Sequence, residues 1–240
     1  MDILGIIPAR YASSRFEGKP LANIAGKSMV QRVFESASLA TSLNELWVAT
    51  DDERIFREVE SFGGLAVMTS LHHPNGTARC LEAALNIRPE CDVVVNIQGD
   101  EPLINPAQIE LLTGLFKDDV VNIATLAKRT RIPAEISDPN VVKVRFGENG
   151  KALYFGRKPV AGKQVPHYKH IGMYAYRLPV LKKLVDLPQA DDEKRQSLEQ
   201  LRWMQHGFDV YVAETDCDSV SVDTPADLEK VLEIIKRKKR

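Results

Sequence analysis

Cysteine is scarce in this chain. Cys80, Cys91 and Cys217 are odd in number and widely spaced, and no C-x-x-C pair occurs. That usage predicts reduced thiols in a cytoplasmic protein and excludes a disulfide scaffold. A charge excess is missing too. The formal net charge is -1, so composition calls for neither nucleic acid nor an anionic membrane surface as a partner. No apolar run approaches the roughly 18 residues of a membrane span. The stretch after Met1 is cut by Pro8 and Arg10, too early for a signal peptide. Two familiar phosphate signatures are also lacking. Gly26-Lys27-Ser28 has the ending of a P-loop, but Leu21 stands where its first glycine belongs. No G-x-G-x-x-G follows a predicted strand, which speaks against a dinucleotide enzyme.

What is present is material for a core. At 240 residues and 44% hydrophobic, the chain can bury one large α/β core or two small ones. Val93-Val94-Val95-Asn96-Ile97-Gln98-Gly99-Asp100-Glu101-Pro102 is an apolar β-branched run that stops at a carboxylate. It reads as a strand covered on both faces, ended by Gly99 and Pro102. Its end directs Gln98 and Asp100 into the crevice where open α/β sheets bind ligands. Asp100 is a candidate for holding a hard cation against a phosphate; the plainer reading is a turn aspartate before Pro102.

Ile3 to Pro8 reads as the first buried strand. The loop after it, Ala9 to Pro20, gathers Arg10, Arg15 and Lys19 with Ser13, Ser14 and Gly18. Cationic groups beside hydroxyl and backbone donors suit a polyphosphate, the alternative being a solvated basic loop. Helices predicted from Ser28 to Leu39 and from Asp51-Asp52 to Phe62 alternate with strands at Leu46–Thr50 and Leu65–Met68. His72-His73 have no further His or Cys at metal-ligand spacing. Their segment reads as a polar turn, with Thr77 and Arg79 facing a ligand, that leads into a helix through Leu85. The alternation predicts a doubly wound, mainly parallel sheet.

After a helix over Pro106 to Phe116, strand-like runs at Ile123–Ala127, Val141–Arg145, Ala152–Phe155 and Ile171–Tyr176 follow without a long helix between them. They predict an antiparallel excursion, over about residues 123–176, forming a lid or dimer surface on a single domain. Ser197–His206 reads as helix, Val210–Ala213 as strand and Pro225–Lys238 as a closing helix whose basic end complements its dipole. At the start of that helix Thr224 can cap, Pro225 takes the first position and Asp227 completes a capping-box-like pattern. Asp223 is left uncommitted and is a candidate second ligand for Mg²⁺, a solvated loop aspartate being the alternative.

Together these segments resemble the 3-deoxy-manno-octulosonate (Kdo) cytidylyltransferase family, also called CMP-Kdo synthetases. The resemblance rests on Ile7 to Arg10 with Ser13 to Arg15 and Gly18 to Leu21, Asn96 to Pro102, His170 to Tyr176, Leu198 to Arg202, and Val222 to Pro225, in order over nearly the whole chain. It implies a Rossmann-like homodimer joining CTP to an eight-carbon sugar acid for lipopolysaccharide synthesis. Carried onto matching positions, it implies that Arg10, Ser13, Ser14, Arg15 and Lys19 hold the triphosphate, with Thr77 and Arg79 by the nucleotide. Gln98, Arg157, His170, Tyr174, Glu199 and Gln200 would bind the sugar acid. Asp100 and Asp223 would ligate Mg²⁺ and, with Lys19 and Arg10, carry catalysis. The family's Ser-Gly-Thr-Asp-Arg stands here as Asn75 to Arg79, and its Phe-Ser-Arg-Ser-Pro as Phe155 to Pro159. These departures bear on the sugar, because a site built for a hydroxyl discriminates against analogues lacking it. The resemblance extends to a branch that activates the 8-amino-8-deoxy analogue. The competing readings are a cytidylyltransferase for another sugar acid, such as a sialic acid, and a non-catalytic nucleotide-binding module.

Overall fold

The computed structural model describes residues 1–12, 15–159 and 166–238. The chain divides into two compact units, residues 1–110 with 219–240, and residues 111–218.

The first unit is a parallel α/β layer. Strands β1 (Ile3–Ala9), β4 (Glu45–Thr50), β5 (Ala66–Met68) and β6 (Val93–Asn96) lie in the order β6-β1-β4-β5. Ile3 pairs with Val93 on one side of β1, and Leu4 with Glu45 on the other. Parallel neighbours require crossovers. These are α1 (Met29–Ala37), which follows a small hairpin of β2 (Asn23–Ile24) and β3 (Lys27–Ser28), then α2 (Glu53–Ser61) and α3 (Gly76–Ile87). Each helix starts on a side-chain cap: Ser28 accepts from Gln31 N, Asp52 from Arg54 N, and Asn75 from Ala78 N. Val93, Val94 and Val95 are fully buried, as their unbroken apolar run required.

The helix at Pro225–Lys238 returns to this unit. Val231 and Ile235 pack with Val222, Ile24 and Met29 in one apolar cluster. Thr224 N and Oγ1 both donate to Asp227 Oδ2, at 3.1 and 2.8 Å, and close the reciprocal cap expected there.

A helix over Pro106–Gly114, α4, runs from the first unit into the second and passes into a 3-10 turn at Leu115–Lys117. In the second unit β7 (Ile123–Thr130), β8 (Lys143–Phe146), β9 (Ala152–Gly156), β10 (His167–Arg177) and β11 (Tyr211–Glu214) lie in the order β11-β7-β10-β8-β9. All pairings are antiparallel except β11 with β7. Gly150 (φ 77°) turns the β8–β9 hairpin in the left-handed region open to glycine. The helices α5 (Pro133–Ser137), α6 (Leu178–Val185), α7 (Asp191–Gln196) and α8 (Gln200–Gln205) complete the unit. The helix expected from Ser197 is shorter because Ser197 is itself left-handed (φ 53°), which ends α7 and separates it from α8. Among the described residues no helix is long and apolar enough to cross a membrane.

Candidate active site

Three chain segments of the first unit meet at the carboxyl ends of β1 and β6. The loop leaving β1 ends at Gly18, whose left-handed backbone (φ 67°) turns the chain into a 3-10 turn beginning at Lys19. Lys19 Nζ donates to Asp100 Oδ2 at 2.8 Å and to Asp223 Oδ1 at 3.4 Å, and Arg15 pairs with the same Asp223 oxygen at 3.0 Å. Two carboxylates that are 123 positions apart in numbering (223 minus 100) thus share one ammonium. Their backbones are tied as well, since Val222 N donates to Asp100 O at 2.9 Å. Beside them Glu101 is buried. Loss of solvent, and then the neighbouring Asp100 charge, push its carboxyl up to about 7 against a hydrogen bond with Ser219.

Arg15, Lys19, Asp100 and Asp223 line a cleft of about 350 Å³ together with Arg10 and Gln98. Its opposite wall comes from the start of α3. There Arg79 is buried and donates to Asp51 Oδ2 at 2.8 Å and to Thr69 Oγ1 at 2.7 Å. Thr77 is buried and does not line the cleft, whereas His73, read from sequence as part of a polar turn, does; its Nε2 meets Glu82. Ser13 and Ser14 lie outside the described residues. Asp51, absent from the sequence reading of the site, could have been found as a carboxylate ending a strand next to the one that launches the basic loop.

Close approach keeps the floor of the cleft in register. A Cβ at Gly99 would stand 2.8 Å from the Pro8 carbonyl oxygen. Gly99→Ala must therefore move the turn that carries Asp100, and is expected to destabilise the protein by about 1–3 kcal/mol with a parallel fall in kcat. Urea midpoints and turnover of the variant check both.

The remaining predicted residues belong to the second unit. His170 and Tyr174 on β10 are brought together by a register shift between Ile171 and Tyr174, with ring centroids 5.3 Å apart. Thr125 Oγ1 secures the shift, lying 2.8 Å from Met173 O and 2.9 Å from His170 Nε2. A hydroxyl that donates to the carbonyl can accept only from an Nε2–H, which selects that tautomer. Burial pushes the imidazole down to about 3, so it works as a neutral hydrogen-bonding group. Tyr174 stands edge-on to Trp203 at 5.1 Å. Glu199 Oε1 accepts from Arg202 at 2.8 Å, while Gln200 Nε2 and Trp203 Nε1 are buried and have no hydrogen-bond partner among the described residues. Arg157 is committed to backbone carbonyls, at 2.7 Å from Gln196 O and 3.1 Å from Pro139 O.

Gly156, one of the two departures noted in the sequence, is explained by its neighbour. The Tyr154 phenol fills the space that a side chain at 156 would need and donates to Lys158 O at 3.3 Å. Phe155, between them in a strand whose side chains alternate, is the residue that contacts His170, with ring centroids 5.2 Å apart.

A His whose folded value is depressed stabilises the fold fully above its unfolded value near 6.5, and that contribution is lost as pH falls toward 3. Acid titration of urea stability should therefore show a decline beginning near pH 6.5 that is reduced in His170→Gln.

Among the described residues no group of three or more His, Cys, Asp or Glu converges on a metal position. Asp100 and Asp223 nonetheless fit Mg²⁺, which takes one or two carboxylates and completes its shell with water and substrate phosphate oxygens. The ammonium already held between them shows that the pair draws in a cation.

Residues 4–216 match the family model described as Cytidylyltransferase. The chain is 46% identical to a 3-deoxy-manno-octulosonate cytidylyltransferase of Bacteroides thetaiotaomicron over 99% of this chain and 100% of that protein. It is also similar, at 41% identity and a TM-score of 0.94 over 99% of this chain and 100% of the other, to the solved structure of CMP:2-keto-3-deoxy-manno-octonic acid synthetase complexed with CTP. A 4-diphosphocytidyl-2C-methyl-D-erythritol synthase from Anaerococcus prevotii, 13% identical with a TM-score of 0.67 over 98% of this chain and 99% of its own, shares the fold alone. The chain belongs to the 3-deoxy-manno-octulosonate cytidylyltransferase family.

Proposed function

We propose that the protein joins CTP to Kdo, an eight-carbon 3-deoxy sugar acid, releasing pyrophosphate and supplying the CMP-sugar for lipopolysaccharide synthesis. The observation that carries this reading is the meeting of Lys19 and Arg15 with Asp100 and Asp223 on one wall of the cleft. Attack of the anomeric hydroxyl on the α-phosphorus is an in-line displacement, so positioning and charge neutralisation supply most of the rate. Arg10, Arg15 and Lys19 offset the charge of the triphosphate and of the departing pyrophosphate. Asp100 and Asp223 would hold Mg²⁺, which when bound polarises the phosphate and favours ionisation of the attacking hydroxyl. Gln98, His170, Tyr174, Glu199 and Gln200 would orient the sugar acid, with His170 contributing as a neutral imidazole. Exposed Ile132 and Leu153 support a homodimer, and the small number of cysteines, Cys80, Cys91 and Cys217, suits the cytoplasm.

Two observations favour Kdo over its 8-amino analogue. The relatives are named for 3-deoxy-manno-octulosonate, and Gly156 lies on the strand face opposite to Phe155, the residue that meets His170. Pyrophosphate release from CTP should give the highest kcat/KM with Kdo. A higher value with the 8-amino analogue would reassign the acceptor within the family, and preference for a sialic acid would overturn the reading. Silence with every sugar acid would leave a nucleotide-binding module.

A further inference from the structure

The loop that carries Arg10, Arg15 and Lys19 is fastened by residues that the proposed chemistry does not use. The Arg54 guanidinium of α2 lies over the Tyr11 ring, 3.3 Å from its centroid. It is held there by Asp52, which accepts from Arg54 Nε at 2.9 Å and from its terminal nitrogen at 2.7 Å. Asp52 is also the cap of α2, accepting from Arg54 N at 2.9 Å, so the fork is anchored to the helix start. Tyr11 in turn grips the other end of the loop. Gly18 N donates to Tyr11 O at 2.9 Å, and the ring lies so near Gly18 that a Cβ there would come within 3.1 Å of it. The neighbouring Asp51 holds Arg79 in the opposite wall. Consecutive carboxylates at the end of β4 thus reach both sides of the cleft.

We infer that Arg54 is a positioning residue for the nucleotide: stacked on Tyr11 and clamped by Asp52, it holds the triphosphate loop closed on itself before CTP arrives. The inference rests on the reading of that loop as the triphosphate site. The physical reason is preorganisation. Ordering a loop that presents Arg10, Arg15 and Lys19 costs conformational entropy, and whatever part is met in the free protein is not subtracted from binding. A guanidinium is suited to this because its plane can stack on a ring while its edge pairs bidentately with a carboxylate, which an ammonium cannot do.

The test is steady-state kinetics on the full chain with CTP varied. Arg54→Met should raise KM for CTP by about two- to five-fold, the scale of an exposed cation–π contact, with kcat at saturation retained. Arg54→Lys should fall between the two, and Tyr11→Phe, which keeps the ring face, should match the wild type. Because both residues act through one contact, Tyr11→Leu with Arg54→Met should be no worse than Tyr11→Leu alone. If Arg54→Met does not fold, Tyr11→Leu and Tyr11→Phe carry the same comparison. Effects that multiply in the double variant, or an unchanged KM in Arg54→Met while Arg10→Ala raises it, would overturn the clamp alone. An unchanged KM in both Arg10→Ala and Lys19→Met would remove the triphosphate loop itself.

Discussion

Asp100→Asn is expected to lower kcat by about 10²- to 10³-fold, the cost of removing one preorganised electrostatic contact to a transition state, while leaving the protein folded. The side chain can be changed at little cost to stability because the structural bond of this residue is made by its backbone, whose carbonyl accepts from Val222 N. Asparagine keeps that bond and the shape, and removes only the charge. The partner change Asp223→Asn should behave alike, and the double variant should be little worse than either single one, because groups that hold one cation act as a unit. Pyrophosphate release at saturating CTP and sugar, repeated across a Mg²⁺ titration, reads the effect. A loss that added Mg²⁺ partly restores would assign the carboxylates to the metal. Undiminished turnover in both variants would take them out of the mechanism.

The largest stability effect is expected at Arg202. Its guanidinium is buried among Glu199 at 2.8 Å, Glu193 at 3.5 Å and the Leu187 carbonyl at 3.2 Å, and Glu193 is 7% exposed. Arg202→Met fills most of the same volume but strands Glu193 without its counter-charge. Breaking a buried pair from one side in this way costs about 3–5 kcal/mol. Glu193→Gln added to Arg202→Met should recover part of the loss, because the orphaned charge is then gone. Urea midpoints of the wild type, both singles and the double separate these cases. A change below about 1 kcal/mol in Arg202→Met would mean that the pair is screened as a surface bridge is. The same variant should weaken use of the sugar acid, because Glu199 and Gln200 sit on the turn and helix that Arg202 anchors.

The readable parts of the fold were those in which local chemistry and tertiary structure agree. Val93 to Val95 carried an unbroken apolar signal because both faces are covered, and Ser28, Thr224 and Pro225 marked helix starts because caps act on neighbours in sequence. Less was legible where a single residue conflicts with its surroundings. Ser197 in a left-handed conformation delays to Gln200 the helix that reads as starting at Ser197. The helix Leu178–Val185 buries Leu178, Leu181 and Leu184 on one face, and Pro179 sits in its first turn, where a missing N–H costs nothing.

In the site, single residues could be nominated but not paired. Asp223 was separable from the cap of its helix by local rules alone, since Thr224 and Asp227 suffice for capping. That Lys19 would stand between Asp223 and Asp100 depends on the closing helix packing Val231 and Ile235 against Ile24 and Met29, a contact between the two ends of the chain. His73 and Arg54 carry no local mark of their roles.

By itself, then, the sequence determined most of the segments that become strands and helices, where the basic loop falls, and the family, because periodicity, capping and motif order are written in near neighbours. Only the tertiary structure decided that Lys19 bridges Asp100 and Asp223, that Arg54 lies on Tyr11, and that Tyr154 takes the space beside Gly156. The reason is geometric: a salt bridge or a stack depends on distances of a few ångströms between residues whose separation along the chain says nothing about them, until packing of the core brings them together.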